Sequence, residues 1–116
     1  VWLNFPKNPH FPPLAAAQPA EGAGCESCHG PGKAHVEARG GKATIVAFSV
    51  LPPEKILDNC LRCHSQKLSR ANIRRSQHTQ SDVVCTNCHS IHRSPVPKYL
   101  LARVQRDLCY TCHANV

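Results

Sequence analysis

Eight cysteines and eight histidines among 116 residues are the side chains with chemistry to offer, and their spacing is regular. The cysteines fall into C-x-x-C pairs, Cys25/Cys28, Cys60/Cys63, Cys85/Cys88 and Cys109/Cys112, with none left over. Each pair is followed at once by histidine, giving CESCH, CLRCH, CTNCH and CYTCH with His29, His64, His89 and His113 in last place. Two thiols at i and i+3 stand on one face of a helical turn. They can form two thioether bonds along one porphyrin edge while the next residue offers a nitrogen to the iron from below the ring. C-x-x-C-H is the attachment signature of c-type haem, and four motifs predict four covalently attached haem c groups with their iron.

Other uses of the cysteines explain less. Two Cys₄ zinc sites would account for the thiols but leave the histidine after every pair without a purpose. A disulfide framework has no reason to place histidine after each second cysteine. A thioredoxin-like C-x-x-C needs a strand and helix around it, which a chain with ten prolines does not promise.

Four histidines remain: His10, His35, His78 and His92. The spare histidines therefore equal the expected haems in number. The chain has no methionine, so the His/Met ligation that raises the potential of many cytochromes is excluded. The expectation is bis-histidine iron throughout, low in potential and suited to passing electrons. On a helical turn His92 would lie on the same side as His89, yet the two axial ligands of one iron approach from opposite faces. His92 is thus expected to serve a different haem and lock two haems into a close pair. The same argument extends to His35, just beyond His29 through GPGK, and His78 precedes Cys85 closely enough to reach a neighbour. His10 is also expected as a ligand, of this protomer or of a neighbouring subunit.

The elements that position these residues must be short. Three Phe, two Tyr, one Trp and no Met stand against ten Pro and six Gly, too little apolar material for a self-sufficient core. Four macrocycles would supply what the side chains lack. The expected fold is a small, mostly irregular chain with a few short α-helices wrapped around four haems and no significant β-sheet. The best helix candidates are PPEKILDNCLRCH, with Pro53 suited to a first turn, and LLARVQRDLCYTCH. Residues 1–24 read as a Pro-rich apolar N-terminal arm and residues 25–116 as the haem domain. The arm's VWLNFPKNPHFPPL cannot form a regular helix and is expected to be extended. Its Trp2, Leu3, Phe5 and Phe11 need haems or another protomer to pack against.

Fourteen Lys plus Arg against seven Asp plus Glu give a formal charge of +7. On its own this balance would point to nucleic acid or an acidic membrane. Four haems, however, bring roughly eight propionate carboxylates that need basic partners, so nucleic acid is not expected. SRANIRRS, with Arg70, Arg74 and Arg75, either meets propionates or forms a solvated face. The longest apolar run, ATIVAFSVL, is too short to span a bilayer. Haem attachment of this type takes place outside the cytoplasm, so the chain is expected to be exported, periplasmic or extracellular. No signal peptide is visible at Val1, which fits a mature chain.

The stretch CTNCHSIHRSPVPKYLLARVQRDLCYTCH resembles the doubled CxxCH module of multihaem cytochromes, in which CxxCHxxH leads through a short linker and an LL stretch to a second CxxCH. CESCHGPGKAH resembles the early motif of periplasmic multihaem carriers. The resemblance spans about residues 25–113. It implies attachment through Cys85, Cys88, Cys109 and Cys112, axial roles for His89, His92 and His113, and electron conduction without enzymatic turnover. It further implies redox partner proteins or extracellular acceptors, as in anaerobic or metal respiration. Some similar cytochromes polymerise into extracellular filaments through a histidine that ligates a haem of the next subunit, a role open to His10. The alternative is a multihaem reductase with one open coordination position.

Overall fold

The computed structural model describes residues 5–11, 24–65 and 72–114. Along the chain run a 3₁₀ turn (Phe5–Lys7), α1 (Glu26–His29), α2 (Lys33–Glu37), α3 (Pro53–His64), a 3₁₀ turn (Asn72–Arg75), α4 (Gln77–Gln80), α5 (Cys85–Cys88) and α6 (Gln105–Tyr110). Among the described residues the extended contacts are isolated bridges, Leu101 to His89 and to Val96. The expected fold class of short helices in irregular chain without a sheet is what the structure shows.

Helix α3 has local reasons to form. Pro53 sits at its start, where the missing N–H costs nothing and the fixed φ already suits the helix. Glu54 in the first turn and Arg62 and His64 in the last complement the helix dipole. Ile56, Leu57 and Leu61 recur on one face and are buried with Val84, which leads into α5. Phe48, Leu51, Cys60, Ile73 and Cys85 pack around them. The core is thus the seam between the helix that ends in CLRCH and the turn that carries CTNCH. Packing energy and attachment chemistry share the same few residues.

Helix α4 is held by its cap. Ser76 Oγ accepts the Thr79 N–H at 3.2 Å, and Thr79 Oγ1 donates to the Ile73 carbonyl at 2.7 Å. One turn of helix carrying His78 is thereby tied to the 3₁₀ turn before it.

The second expected helix is shorter than LLARVQRDLCYTCH. Within that stretch the helix covers Gln105–Tyr110, because Leu100 and Leu101 have another task. Leu100 takes a left-handed conformation, φ 52°, which residues other than glycine seldom adopt without compensation. Compensation comes from burial, since Leu100 is 7% exposed, and from the return of the chain onto CTNCHS. Ser90 N–H donates to the Leu100 carbonyl at 2.7 Å and Ala102 N–H to the Cys88 carbonyl at 2.9 Å. Ser94 Oγ also donates to the Leu101 carbonyl at 2.7 Å. Helical periodicity in the LL stretch loses to this tertiary pairing.

The described part of the arm is not extended either. After the 3₁₀ turn, Phe11 N–H donates to the Asn8 carbonyl at 2.9 Å, and Asn8 is buried. Trp2 and Leu3 lie outside the described residues, as does most of the arm expected over residues 1–24.

Candidate haem centres

The CxxCH segments are single turns of the same form. His29 N–H donates to the Cys25 carbonyl at 3.0 Å, His89 to Cys85 at 2.8 Å and His113 to Cys109 at 2.9 Å. In the second motif Cys60, Cys63 and His64 complete α3. Each turn sets its two thiols three residues apart on one face with the histidine next in line, the disposition two thioethers and an axial nitrogen require.

The first motif is also tied to other parts of the chain. His29 and Val46 clasp each other: Val46 N–H donates to the His29 carbonyl at 2.9 Å, and His29 Nδ1 meets the Val46 carbonyl at 2.7 Å. Gly30 makes room, at φ 70° and with Val46 Cγ2 only 3.3 Å from where a Cβ would stand. Asn59 Nδ2 donates to the Cys28 carbonyl at 2.9 Å, and Arg62 donates to the Ser27 carbonyl and, at 3.1 Å, to Asn59 Oδ1. The last turns of α3 therefore grip the first motif. At α5, Asn87 Oδ1 accepts the Val84 N–H at 2.8 Å, fixing the helix start.

The thiols themselves are neighbours across motifs. Cys60 and Cys85 lie side by side on the core cluster, and their mutual interaction pulls the Cys85 thiol below its ordinary value and pushes Cys60 above it. Burial raises Cys28, with Arg62 opposing and Cys63 adding to the rise, and burial raises Cys88 beside Cys109 and Cys112. None of the eight cysteines is joined in a disulfide. No group of three or more His, Cys, Asp or Glu among the described residues is arranged to hold a bare metal ion.

Histidines distant in sequence come together in twos. His10 and His64 approach edge to face, centroids 5.7 Å apart, with their Nε2 atoms 3.5 Å apart. His29 and His92 stack at 5.8 Å. His78 and His113 lie edge to face at 6.1 Å. Every one of these pairs joins a CxxCH histidine to one of the four others. His35 and His89 have no histidine ring beside them among the described residues, but each is anchored through Nδ1, to the Gly41 carbonyl at 3.0 Å and the Tyr99 carbonyl at 2.9 Å. His10 Nδ1 likewise meets Asn8 Oδ1 at 3.1 Å.

Facing a carbonyl oxygen, Nδ1 must donate, so in the neutral tautomer it is Nε2 that carries the lone pair in His10, His29, His35 and His89. This is the outer-shell arrangement that orients metal-binding imidazoles. Burial holds His10 below the ordinary imidazole value, and partial desolvation with His29 nearby does the same for His92. In both, the shift favours the neutral form that can ligate. Among the basic residues, Arg74 pairs with Asp58 at 2.8 Å on the surface, Arg75 is exposed, and Arg70 lies outside the described residues.

Sequence reasoning identified the cysteines and histidines and missed what aims them. Asn8, Asn59 and Arg62 are side chains without a motif, although Asn two residues before histidine is an Asx-turn signal. The carbonyls of Val46, Gly41 and Tyr99 leave no trace in side-chain pattern.

Comparison with known proteins bears on the CxxCH motifs. The profile described as "Doubled CXXCH motif" matches residues 78–116, and that described as "Cytochrome c554 and c-prime" matches residues 35–90. No curated protein and no solved structure matches the chain. Among the described residues no helix is long and apolar enough to cross a membrane. With its repeated CxxCH turns and these two profile matches, the chain is a multihaem c-type cytochrome with doubled CXXCH motifs, similar over residues 35–90 to the cytochrome c554 and c-prime family.

Proposed function

We propose that the protein is an exported electron carrier that holds four haem c groups, each iron between two imidazoles. The cofactor, when bound, supplies one-electron exchange at iron; the chain attaches it, orients its ligands and sets the spacing between centres. The observation that carries the reading is the set of cross-paired histidines. Two metal–imidazole bonds of about 2 Å on opposite faces would set the nitrogens roughly 4 Å apart, and His10 and His64 present Nε2 to Nε2 at 3.5 Å. Two bare lone pairs so close repel unless a proton or metal lies between them.

The pairing supports one set of ligands. His92 would serve the iron of Cys25/Cys28/His29, His10 that of Cys60/Cys63/His64, and His78 that of Cys109/Cys112/His113. His35 is then left for the iron of Cys85/Cys88/His89. Under this assignment the first and third centres exchange ligands, since His35 follows the first motif and His92 the third. The proximity of cysteines in successive motifs, Cys28 to Cys63, Cys60 to Cys85 and Cys88 to Cys109, supports one cluster of centres, as rapid electron exchange requires.

His10 finds its partner within its own chain, which favours a discrete carrier over a filament joined by inter-subunit ligation. Size-exclusion chromatography with light scattering tests this: a monomer across a wide concentration range is expected, whereas growth into polymers lost on replacing His10 would favour the filament.

A second reading has one observation in its favour. His89 lacks a facing histidine among the described residues, so the third iron could keep an open position and reduce a small oxyanion. Electron paramagnetic resonance of the oxidised protein separates the two. Low-spin iron alone supports the carrier, and a high-spin centre at the third motif supports the reductase.

A further inference from the structure

Asn8 is the buried polar residue of the described chain, 8% exposed, and it uses both ends of its amide. Nδ2–H donates to the Ile91 carbonyl. Oδ1 accepts the backbone N–H of His10 at 2.9 Å and its ring Nδ1–H at 3.1 Å. The amide's orientation follows from its partners, because a carbonyl can only accept and a backbone N–H can only donate.

From this geometry we infer that Asn8 is the positioning residue for His10, fixing its tautomer and bearing toward His64 while fastening the arm to the CTNCHSIH segment. The inference rests on the reading of His10 as an axial ligand. With Nδ1 protonated and held, Nε2 is the nitrogen left to face His64. A single acceptor on the ring would permit swivelling, but the second bond, from the backbone of the same residue, fixes ring and main chain together. Ile91 lies between His89 and His92, so one side chain also links the second centre to the segment that serves the first and third. A buried amide with a donor and two acceptor contacts satisfied is costly to replace by any group lacking one of them. The outer-shell partner of a ligating imidazole raises its basicity as well as aiming it, so Asn8 should influence the iron electronically and not only the stability of the fold.

The test uses the full-length haem-loaded protein as wild type, His10→Ala, Asn8→Leu and Asn8→Asp, read by spin state, by carbon monoxide binding to the reduced form, and by redox titration. His10→Ala should turn one haem high-spin and open to carbon monoxide; if every haem stays low-spin, the ligation reading itself fails. Asn8→Leu keeps the branching at Cγ and removes the hydrogen bonds, and the same single haem should bind carbon monoxide roughly 10–100-fold more tightly than in wild type. Wild-type exclusion of carbon monoxide in Asn8→Leu, where His10→Ala admits it, would overturn the positioning role and leave ligation standing. Asn8→Asp retains the acceptor for Nδ1–H and should stay low-spin while lowering one midpoint potential. Potentials identical to wild type in Asn8→Asp would overturn the inference even if Asn8→Leu fails to fold.

Discussion

His29 and His92 stack with ring centroids 5.8 Å apart and planes 22° from parallel, so the residue three places beyond the third CxxCH reaches the first. On the proposed ligation, His92→Ala should convert the first haem to high spin and leave the third unchanged. Phe48, edge to face with His29 at 5.4 Å, provides the local reporter. Its proton resonances should shift and broaden in His92→Ala while those of Tyr99, whose carbonyl holds His89, stay in place. The reverse pattern would assign His92 to its own motif.

Gly30→Ala tests the clasp between His29 and Val46. An alanine at φ 70° and ψ −175°, a region essentially reserved for glycine, with Val46 Cγ2 at 3.3 Å, should cost about 1–3 kcal/mol in conformational strain alone, measured by denaturant unfolding. Because Val46 orients the His29 ring, one midpoint potential should move with it.

Leu57→Ala removes the most buried core side chain, 3% exposed, from the seam between α3 and α5. A loss of about 2–5 kcal/mol is expected, again by denaturant titration. The haem spectrum of the folded fraction should be unchanged, since Leu57 neither attaches nor orients a ligand.

Cys60→Ser with Cys63→Ser removes the covalent anchors of the second centre, whose thiol Cys60 packs on the core cluster. If the macrocycles complete the core, this pair of substitutions should lower the helical signal in far-ultraviolet circular dichroism and the thermal midpoint together. Loss of haem with an unchanged melting profile would show that the side chains suffice by themselves.

The attachment chemistry was legible in the sequence because thioether formation constrains residue type and spacing at once. Helix α3 was legible for a similar reason, with Pro53 at its start and Ile56, Leu57 and Leu61 on one face. The LL stretch misled because its apolar pair satisfies helical periodicity, yet Leu100 and Leu101 are held by backbone pairing with Cys88, Ser90 and Ser94. His10 was visible as a spare imidazole, but its partner was not. The approach of His10 to His64 depends on a turn at Asn8 and a bond to Ile91, contacts between segments far apart in sequence that no local pattern records.

The central claim is that four covalent haems each sit between two histidines. Spin-quantified electron paramagnetic resonance of the fully oxidised native protein tests it most directly. The expected result is four low-spin ferric centres per chain and no high-spin signal; fewer than four, or a high-spin component in the wild-type protein, would contradict it.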